Sequence, residues 1–412
     1  MVGLTNDSAY ARRGTYRYGL SLTSQFYFCG VPFRLDTRPK CALNCLYCFA
    51  KARGGRRTSL NLAADLTRIR QKIRRALNGP QERYDINGEL LQRRVPLHFG
   101  GLSDPFCDSV AEEISIQLLE TLCEYQYPVI ISTKNTDVLR RDDILNLLKR
   151  NKSVAVQVSF TTLEQDISHA IEPGAPSPKK RLETMKVLAG EGVYTIARLQ
   201  PLIYPFLSHV VEDLIPELAL VKCRHVVVEF LKIPVETHLG GFRDLFNAIN
   251  WDGYSFYREH KASLIGREWI LPATFKWDSL QRVLDAIHRT AMTYGAGDYG
   301  LNHLGDTDCC CGIDRIPGFE GWFKANFANA LRTSRGEYVS FQAVAEQWSP
   351  TKSIRMLMNS NCRLDTGDSV LCYLRTKWNS PGTTNAPDSF LGVSWTGEYD
   401  VEGDCVYRKG VA

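Results

Sequence analysis

The chain has 412 residues, 44% of them hydrophobic and 23% charged, with a formal net charge of +5. That composition suits one large core with smaller additions, and it excludes a disordered, collagen-like or low-complexity chain. With no run of roughly 18 apolar residues a membrane span is excluded, and the polar stretch from Met1 to Arg13 has no apolar leader region, so the expected location is cytoplasmic.

In chain order, residues 1–30 are polar and aromatic and read as an N-terminal extension lying on the core. A short strand is predicted over 31–36. A helix follows over 60–77, with Leu62, Leu66, Ile69, Ile73 and Leu77 on one face and Asn78-Gly79-Pro80 as its stop. Strands over 95–99, 128–133, 154–160, 193–199 and 226–231 then alternate with helices over 110–125, 141–149, 178–189 and 209–220. Near-continuous apolar strands in such βα repeats form a parallel sheet with helices outside. Six strands are too few for a full eight-fold barrel and enough for a partial one. The expected fold class is therefore α/β, a partial (β/α)6 TIM-type barrel with ligands at the C-terminal strand ends. The pattern changes near 236, which divides the chain into 1–30, a barrel over 31–235 and a C-terminal extension over 236–412. That extension is expected to hold an amphipathic helix over 277–294, a cysteine-rich turn and a β-rich tail with strands over 370–374 and 390–395.

The main chemical signal lies after the first strand, where Cys41, Cys45 and Cys48 are spaced C-x3-C-x2-C. Three thiolates this close in sequence can hold an iron–sulfur cluster, and three ligands for the four irons of a cube leave one iron open to a small molecule. The alternative is a zinc knuckle, which needs a fourth ligand, and no further Cys or His stands near in sequence. Gly100 and Gly101 end the second strand, where a missing side chain lets the backbone approach a ligand. Ser103 and Asp104 follow as polar partners for a hydroxyl or amine, and Lys134 at the third strand end suits a carboxylate. Gln157, Ser159, Arg198 and Gln200 alternate within apolar strands and point to one interior face, where charge serves a site more often than a core. Glu229 and Lys232 are weaker candidates of the same kind. Glu172 reads as a cap for the helix beginning near Pro178 or as a ribose ligand, and Arg181 as a helix-surface residue. The basic run Lys51, Arg53, Arg56 and Arg57 either lines a mouth for a phosphate-bearing substrate or is a solvated loop. The N-terminal aromatics, with Arg12, Arg13 and Arg17, offer packing or base-stacking surfaces.

These residues resemble the radical SAM superfamily, through the cysteine triplet, Tyr47 before its last cysteine, and the βα alternation. More narrowly they resemble its spore photoproduct lyase-like branch. The similar segments are Cys48-Phe49-Ala50-Lys51, Gly100 to Phe106, Ser132-Thr133-Lys134-Asn135, and Glu172 to Pro178 with Arg181-Leu182-Glu183 and Gly192-Val193. The resemblance implies a barrel of radical SAM type and a [4Fe–4S] cluster on Cys41, Cys45 and Cys48. It also implies S-adenosyl-L-methionine (SAM) on the open iron, cleaved on reduction to a 5′-deoxyadenosyl radical. By the same resemblance Tyr47, Gly100, Gly101, Ser103, Asp104, Lys134, Ser159 and Arg198 belong to the cofactor-binding set. A flavodoxin or ferredoxin would be the reductant and a nucleic acid or nucleotide the substrate, with a base flipped out of any duplex. The sequence departs from true spore photoproduct lyases at one place: Gly101 stands where they carry the hydrogen-donating cysteine, which speaks against reversal of a thymine dimer.

Thirteen cysteines favour metal or redox chemistry over a disulfide scaffold. Cys107, just past the glycine pair, is a candidate hydrogen donor. Cys309-Cys310-Cys311 is a second concentration. Neighbouring side chains diverge, so two of the three, with Cys362, Cys372, His303 or Asp308, are candidates for an auxiliary iron–sulfur cluster or zinc. Alternatively one thiol, represented by Cys310, donates a hydrogen atom or forms a redox pair, or the three are buried small residues. Cys29, Cys123, Cys223 and Cys405 read as core or surface cysteines. Three functions follow: a radical SAM enzyme acting on a nucleic acid or nucleotide, one with a C-terminal auxiliary cluster modifying a peptide or small molecule, or a zinc-stabilised nucleic-acid-binding module without catalysis.

Overall fold

A computed structural model describes residues 14–50, 62–80, 85–235, 240–265, 267–298, 301, 304–358, 367–383, 386–390 and 393–410. Its centre is an eight-stranded sheet whose strands lie side by side in chain order: β1 (Leu20–Leu22), β2 (Phe33–Leu35), β3 (Leu97–Phe99), β4 (Val129–Thr133), β5 (Val154–Ser159), β6 (Tyr194–Leu202), β7 (His225–Phe230) and β8 (Thr293–Ala296). β1 pairs antiparallel with β2, and every pair from β2 to β8 is parallel. The six strands expected from the sequence are β2 to β7. β8 is a seventh parallel strand, contributed by the segment past 235.

The helices expected between the strands form over Leu66–Asn78, Ser109–Glu124, Asp142–Arg150, Pro178–Gly190 and 207–220. Several start at side-chain caps: Asp65, Asp108 and Ser177 accept backbone N–H groups of the first turn. Ser177 thus fills the capping role considered for Glu172. The amphipathic helix expected over 277–294 runs instead over Ala273–His288, and the chain then turns into β8. The buried Lys276 Nζ lies 3.0 Å from Asp298, whose second oxygen accepts the Phe230 N–H at 2.7 Å, so this helix and the end of β7 are tied together.

Alternate residues on each strand face opposite sides. Val129, Ile131, Val154, Val156, Val158, Ala197 and Val226 join the large core under the helices. Ile130, Ala155, Ile196 and Val227 face the other way and pack with Val31, Cys309, Ile313, Ile316, Phe319 and Trp322. The 309–322 segment therefore plugs the interior near the N-terminal ends of the strands.

The C-terminal tail differs from its expected form. Residues 370–374 belong to a helix, Val370–Trp378, because Ser369 caps it and Val370, Leu374 and Trp378 recur at helical spacing on one buried face. The strands are Tyr338–Val339, Val393–Tyr399 and Cys405–Lys409, in one antiparallel sheet. Trp378 closes the two halves of this tail: its Nε1 donates to the Cys405 carbonyl at 2.6 Å, and its own carbonyl accepts the Tyr407 hydroxyl at 2.7 Å. The N-terminal extension packs on the tail, with ring centroids 5.2 Å apart for Phe26 and Trp348 and 5.5 Å for Tyr27 and Phe327. Of the two uses considered for these aromatics, packing is the one seen; Arg12 and Arg13 lie outside the described residues. Among the described residues no helix is long and apolar enough to cross a membrane.

Candidate functional site

The C-x3-C-x2-C loop leaves the sheet after β2 and is held by the turn at 171–174. Leu46 N–H donates to the Ile171 carbonyl at 2.9 Å, and Gly174 N–H to the Leu43 carbonyl at 3.1 Å. A Cβ on Gly174 would lie 2.7 Å from Leu43 Cα, so this close approach requires glycine. Tyr47 is buried and its hydroxyl donates to the Glu172 carboxylate.

Glu172 is the hub beneath the loop. It is fully buried and accepts from Thr161 Oγ1 at 2.9 Å as well as from Tyr47 and Arg181. Arg181 is also fully buried, and its remaining donors reach the carbonyls of Pro176 at 2.9 Å and Ser159 at 2.7 Å and the Ser168 hydroxyl at 3.0 Å. Arg181 is therefore not the surface residue expected from its helical position. Lys134 Nζ completes the group, 3.9 Å from Glu172 and 5.3 Å from the Tyr47 ring centroid. Burial opposes ionisation of Glu172, but Arg181 and then Lys134 hold its carboxyl below the usual range. Burial pushes the Cys45 thiol up to about 12, against the pull of Lys134. Lys134 thus stands beside the cysteine loop rather than in solvent, and its side chain is only 12% exposed.

The neighbouring glycine loop is built around two carboxylates. Asp36 Oδ1 accepts the N–H groups of Leu102 at 2.7 Å and Ser103 at 3.3 Å. Asp104 accepts from Phe106 N–H at 2.9 Å, Thr133 Oγ1 at 2.9 Å, Lys134 N–H at 2.6 Å and Asn135 N–H at 3.3 Å. Asp104, read from the sequence as a ligand group, is here occupied by protein and braces the end of β3 to the end of β4. Ser103 is buried and donates its hydroxyl to the Arg38 carbonyl at 2.7 Å, which leaves that oxygen as an acceptor. Gly100 has φ +90, and a Cβ there would lie 2.4 Å from the Ser132 carbonyl oxygen.

Cys107 is 8% exposed and packs with Leu43 and Ala111 against Cys41 and Cys45. Sequence spacing gave no fourth thiol near the triplet; the fold brings this one to it. The sulfurs of Cys41, Cys45 and Cys48 nevertheless do not draw together on one point. Among the described residues, only Cys309, Cys310 and Cys311 offer three ligand atoms within 4.8 Å of one another.

A chain of polar groups crosses the interior face. His98 Nε2 lies 2.6 Å from Ser132 Oγ, which donates to Gln157 Oε1 at 2.7 Å, and Gln157 Nε2 donates to Cys311 Sγ at 3.8 Å. Arg34 lies under Gly101 and donates to Cys29 Sγ at 3.4 Å. Arg198 donates to Gln200 Oε1 at 2.5 Å. Ser159 is buried on the same face. The Cys311 thiol is held well below its usual range by hydrogen bonds from Cys309 and Cys310, with Arg198 adding to the effect, whereas hydrogen bonding with Cys309 and Cys311, together with burial, drives the Cys310 thiol up. Arg34 and His98 are site-facing groups that sequence reading missed. The available signal was a cation or imidazole between two apolar residues of a short strand, as in Phe33-Arg34-Leu35 and Leu97-His98-Phe99. The basic run 51–57, Cys362 and His303 lie outside the described residues.

By sequence, the chain matches no family model and no curated protein. By structure it is similar to two variants of spore photoproduct lyase, each at a TM-score of 0.52 and 15% identity, covering 71% of this chain and 85% and 86% of theirs. SuiB of Streptococcus suis, with bound S-adenosylmethionine, is similar at a TM-score of 0.36 and 16% identity, over 56% of this chain and 49% of that one. A mixed α/β architecture with a central parallel sheet is therefore the fold this chain shares with spore photoproduct lyase, a radical SAM enzyme.

Proposed function

We propose that the chain is a radical SAM enzyme built on a partial (β/α)-type barrel. The observation that carries this reading is the Cys41–Cys48 loop. It holds three thiols at a strand end, on a fold shared with a radical SAM enzyme, and it is clamped by a buried network rather than left as a surface turn. The donor set fits a cluster, because three thiols on one loop can each end on a different iron of the cube. Cys41, Cys45 and Cys48 would hold the [4Fe–4S] cluster. When bound, cluster and SAM together supply one-electron cleavage of SAM and hydrogen-atom abstraction from a substrate.

The chain's own residues divide the remaining work. Lys134 offers a cation for the SAM carboxylate, while its contact with Glu172 keeps it beside the loop. The backbone at Gly100 and Gly101 and the acceptor oxygen of Ser103 suit an ammonium. Ser159 and Arg198 offer a hydroxyl and a charge on the interior face. Tyr47 fixes the loop through Glu172, and Asp104 acts as a brace. Burial works against the charge on Arg198, so an anionic substrate group gains from meeting it there. Arg34, Arg198 and Lys134 with the net charge of +5 support an anionic substrate, a nucleic acid or nucleotide, and a flavodoxin or ferredoxin as electron donor. A second reading, with a peptide or small-molecule substrate and a metal at the C-terminal cysteines, is favoured by the convergence of Cys309, Cys310 and Cys311.

Anaerobic reconstitution with iron and sulfide tests the cluster assignment. About four irons per chain are expected from the loop, with Cys45→Ala removing them. Iron and sulfide unchanged in Cys45→Ala, or zinc taken up at the loop in place of iron, would contradict it.

A further inference from the structure

We infer that the turn Cys309-Cys310-Cys311 is a binding site for one thiophilic divalent ion of the zinc class, independent of the Cys41–Cys48 loop. Consecutive side chains normally diverge, yet these three sulfurs all lie within 4.8 Å of one another, and Cys310 Sγ is 3.9 Å from Cys311 Sγ. Thiolates sharing a tetrahedral zinc at about 2.3 Å from the metal stand about 3.8 Å apart. The spacing therefore already matches one ion and is too tight for ligands to separate irons of a cube.

The turn is held in this shape from several directions. Gly312 has φ +65 and donates its N–H to the Cys309 carbonyl at 2.8 Å, which reverses the chain directly after the third cysteine. Thr307 Oγ1 donates to the same carbonyl at 2.8 Å. The Cys310 carbonyl sits against His225 Nε2 at 2.9 Å and over Gly295, where a Cβ would lie 2.0 Å from its oxygen. Cys309 Sγ rests on Gly30, where a Cβ would approach it to 2.5 Å. Two glycines from opposite parts of the chain thus make room for this turn. Such fixing is what a preorganised metal site needs, since ligand ordering otherwise subtracts from affinity.

The surroundings complete a ligand shell. Gln157 donates to Cys311 Sγ at 3.8 Å, the outer hydrogen bond that orients a thiolate ligand. Cys29, next to Gly30, is a further thiol on the same side and accepts from Arg34 at 3.4 Å. The three cysteines leave the fourth tetrahedral position to a ligand from outside the turn. The bound ion would fasten the 309–322 plug to the sheet interior, coupling metal binding to stability.

The experiment uses the full chain carrying Cys41→Ala, Cys45→Ala and Cys48→Ala together, so that no cluster at the loop contributes. Titration with Co(II) is expected to give thiolate-to-metal charge-transfer absorption saturating at one equivalent, Zn(II) to displace it, and Zn(II) to raise Tm. Adding Cys310→Ser and Cys311→Ser is expected to abolish both the absorption and the Tm shift. Gln157→Ala, a milder change on the sheet, is expected to weaken Co(II) binding about tenfold or more. No charge-transfer band in the triple-alanine chain, a band that survives the two serine substitutions, or a brown iron–sulfide species formed there in place of a single-ion complex would overturn the inference. The loop assignment is unaffected by any of these results, because the loop cysteines are absent.

Discussion

Arg181→Ala is expected to destabilise the protein by about 3–5 kcal/mol, the cost of leaving a buried charge without its partner. Arg181 and Glu172 have side chains 1% and 0% exposed, so neither water nor salt can replace the lost contact. The guanidinium also satisfies the carbonyls of Pro176 and Ser159 and the Ser168 hydroxyl, and alanine leaves all of these short of a donor. The effect extends to the cysteine loop. Glu172 accepts from Tyr47, and without Arg181 the remaining cation near it is Lys134, 3.9 Å away. Reconstituted Arg181→Ala is therefore expected to hold iron less firmly even where it remains folded. Arg181→Met combined with Glu172→Gln removes both charges together and is expected to cost less than Arg181→Ala alone. Chemical denaturation decides the point: an Arg181→Ala midpoint equal to that of the parent chain contradicts the buried hub.

Gly100→Ala is expected to cost about 2–5 kcal/mol, since a strained φ and a backbone clash add there. The residue has φ +90, and the new Cβ would lie 2.4 Å from the Ser132 carbonyl oxygen and 2.7 Å from Pro105 Cδ. Ser132 belongs to β4, so relief requires β3 and β4 to part, which would disturb Asp104 and its bond to the Lys134 N–H at 2.6 Å. Gly101→Ala is the informative contrast. Its Cβ meets Arg34 Cδ at 2.7 Å and Nη1 at 2.9 Å, both on a flexible side chain, so about 1–2 kcal/mol is expected. Equal thermal stability of Gly100→Ala and the parent chain would contradict the loop conformation described here.

Much of the sheet is legible in the sequence because β2 to β7 are runs of apolar residues bounded by glycine, proline or polar turns. β8 is not, since Thr293-Tyr294-Gly295-Ala296 carries one β-branched residue and continues the periodicity of the preceding helix. Residues 370–374 mislead in the opposite sense: Val-Leu-Cys-Tyr-Leu suits a strand locally, and only the Ser369 cap and the burial of Trp378 make it a helix. At the site, the triplet and its neighbours Tyr47, Gly100 and Lys134 are readable as motifs. What holds them is not, because Tyr47 meets Glu172 across 125 residues and Gln157 meets Cys311 across 154. Arg181 shows why: its position in a helix looks exposed until the 171–176 turn folds over it. Asp104 shows the converse, a polar residue beside a ligand loop whose bonding capacity the protein itself uses.

The central claim is that the Cys41–Cys48 loop makes this chain a SAM-cleaving enzyme. The most direct measurement is 5′-deoxyadenosine formed from SAM by the anaerobically reconstituted, reduced protein, beside the chain carrying Cys41→Ala, Cys45→Ala and Cys48→Ala. The proposed function predicts formation by the parent chain and background formation by the variant, with far-UV circular dichroism unchanged between them. No formation by an iron-loaded parent chain, or equal formation by the variant, would contradict it.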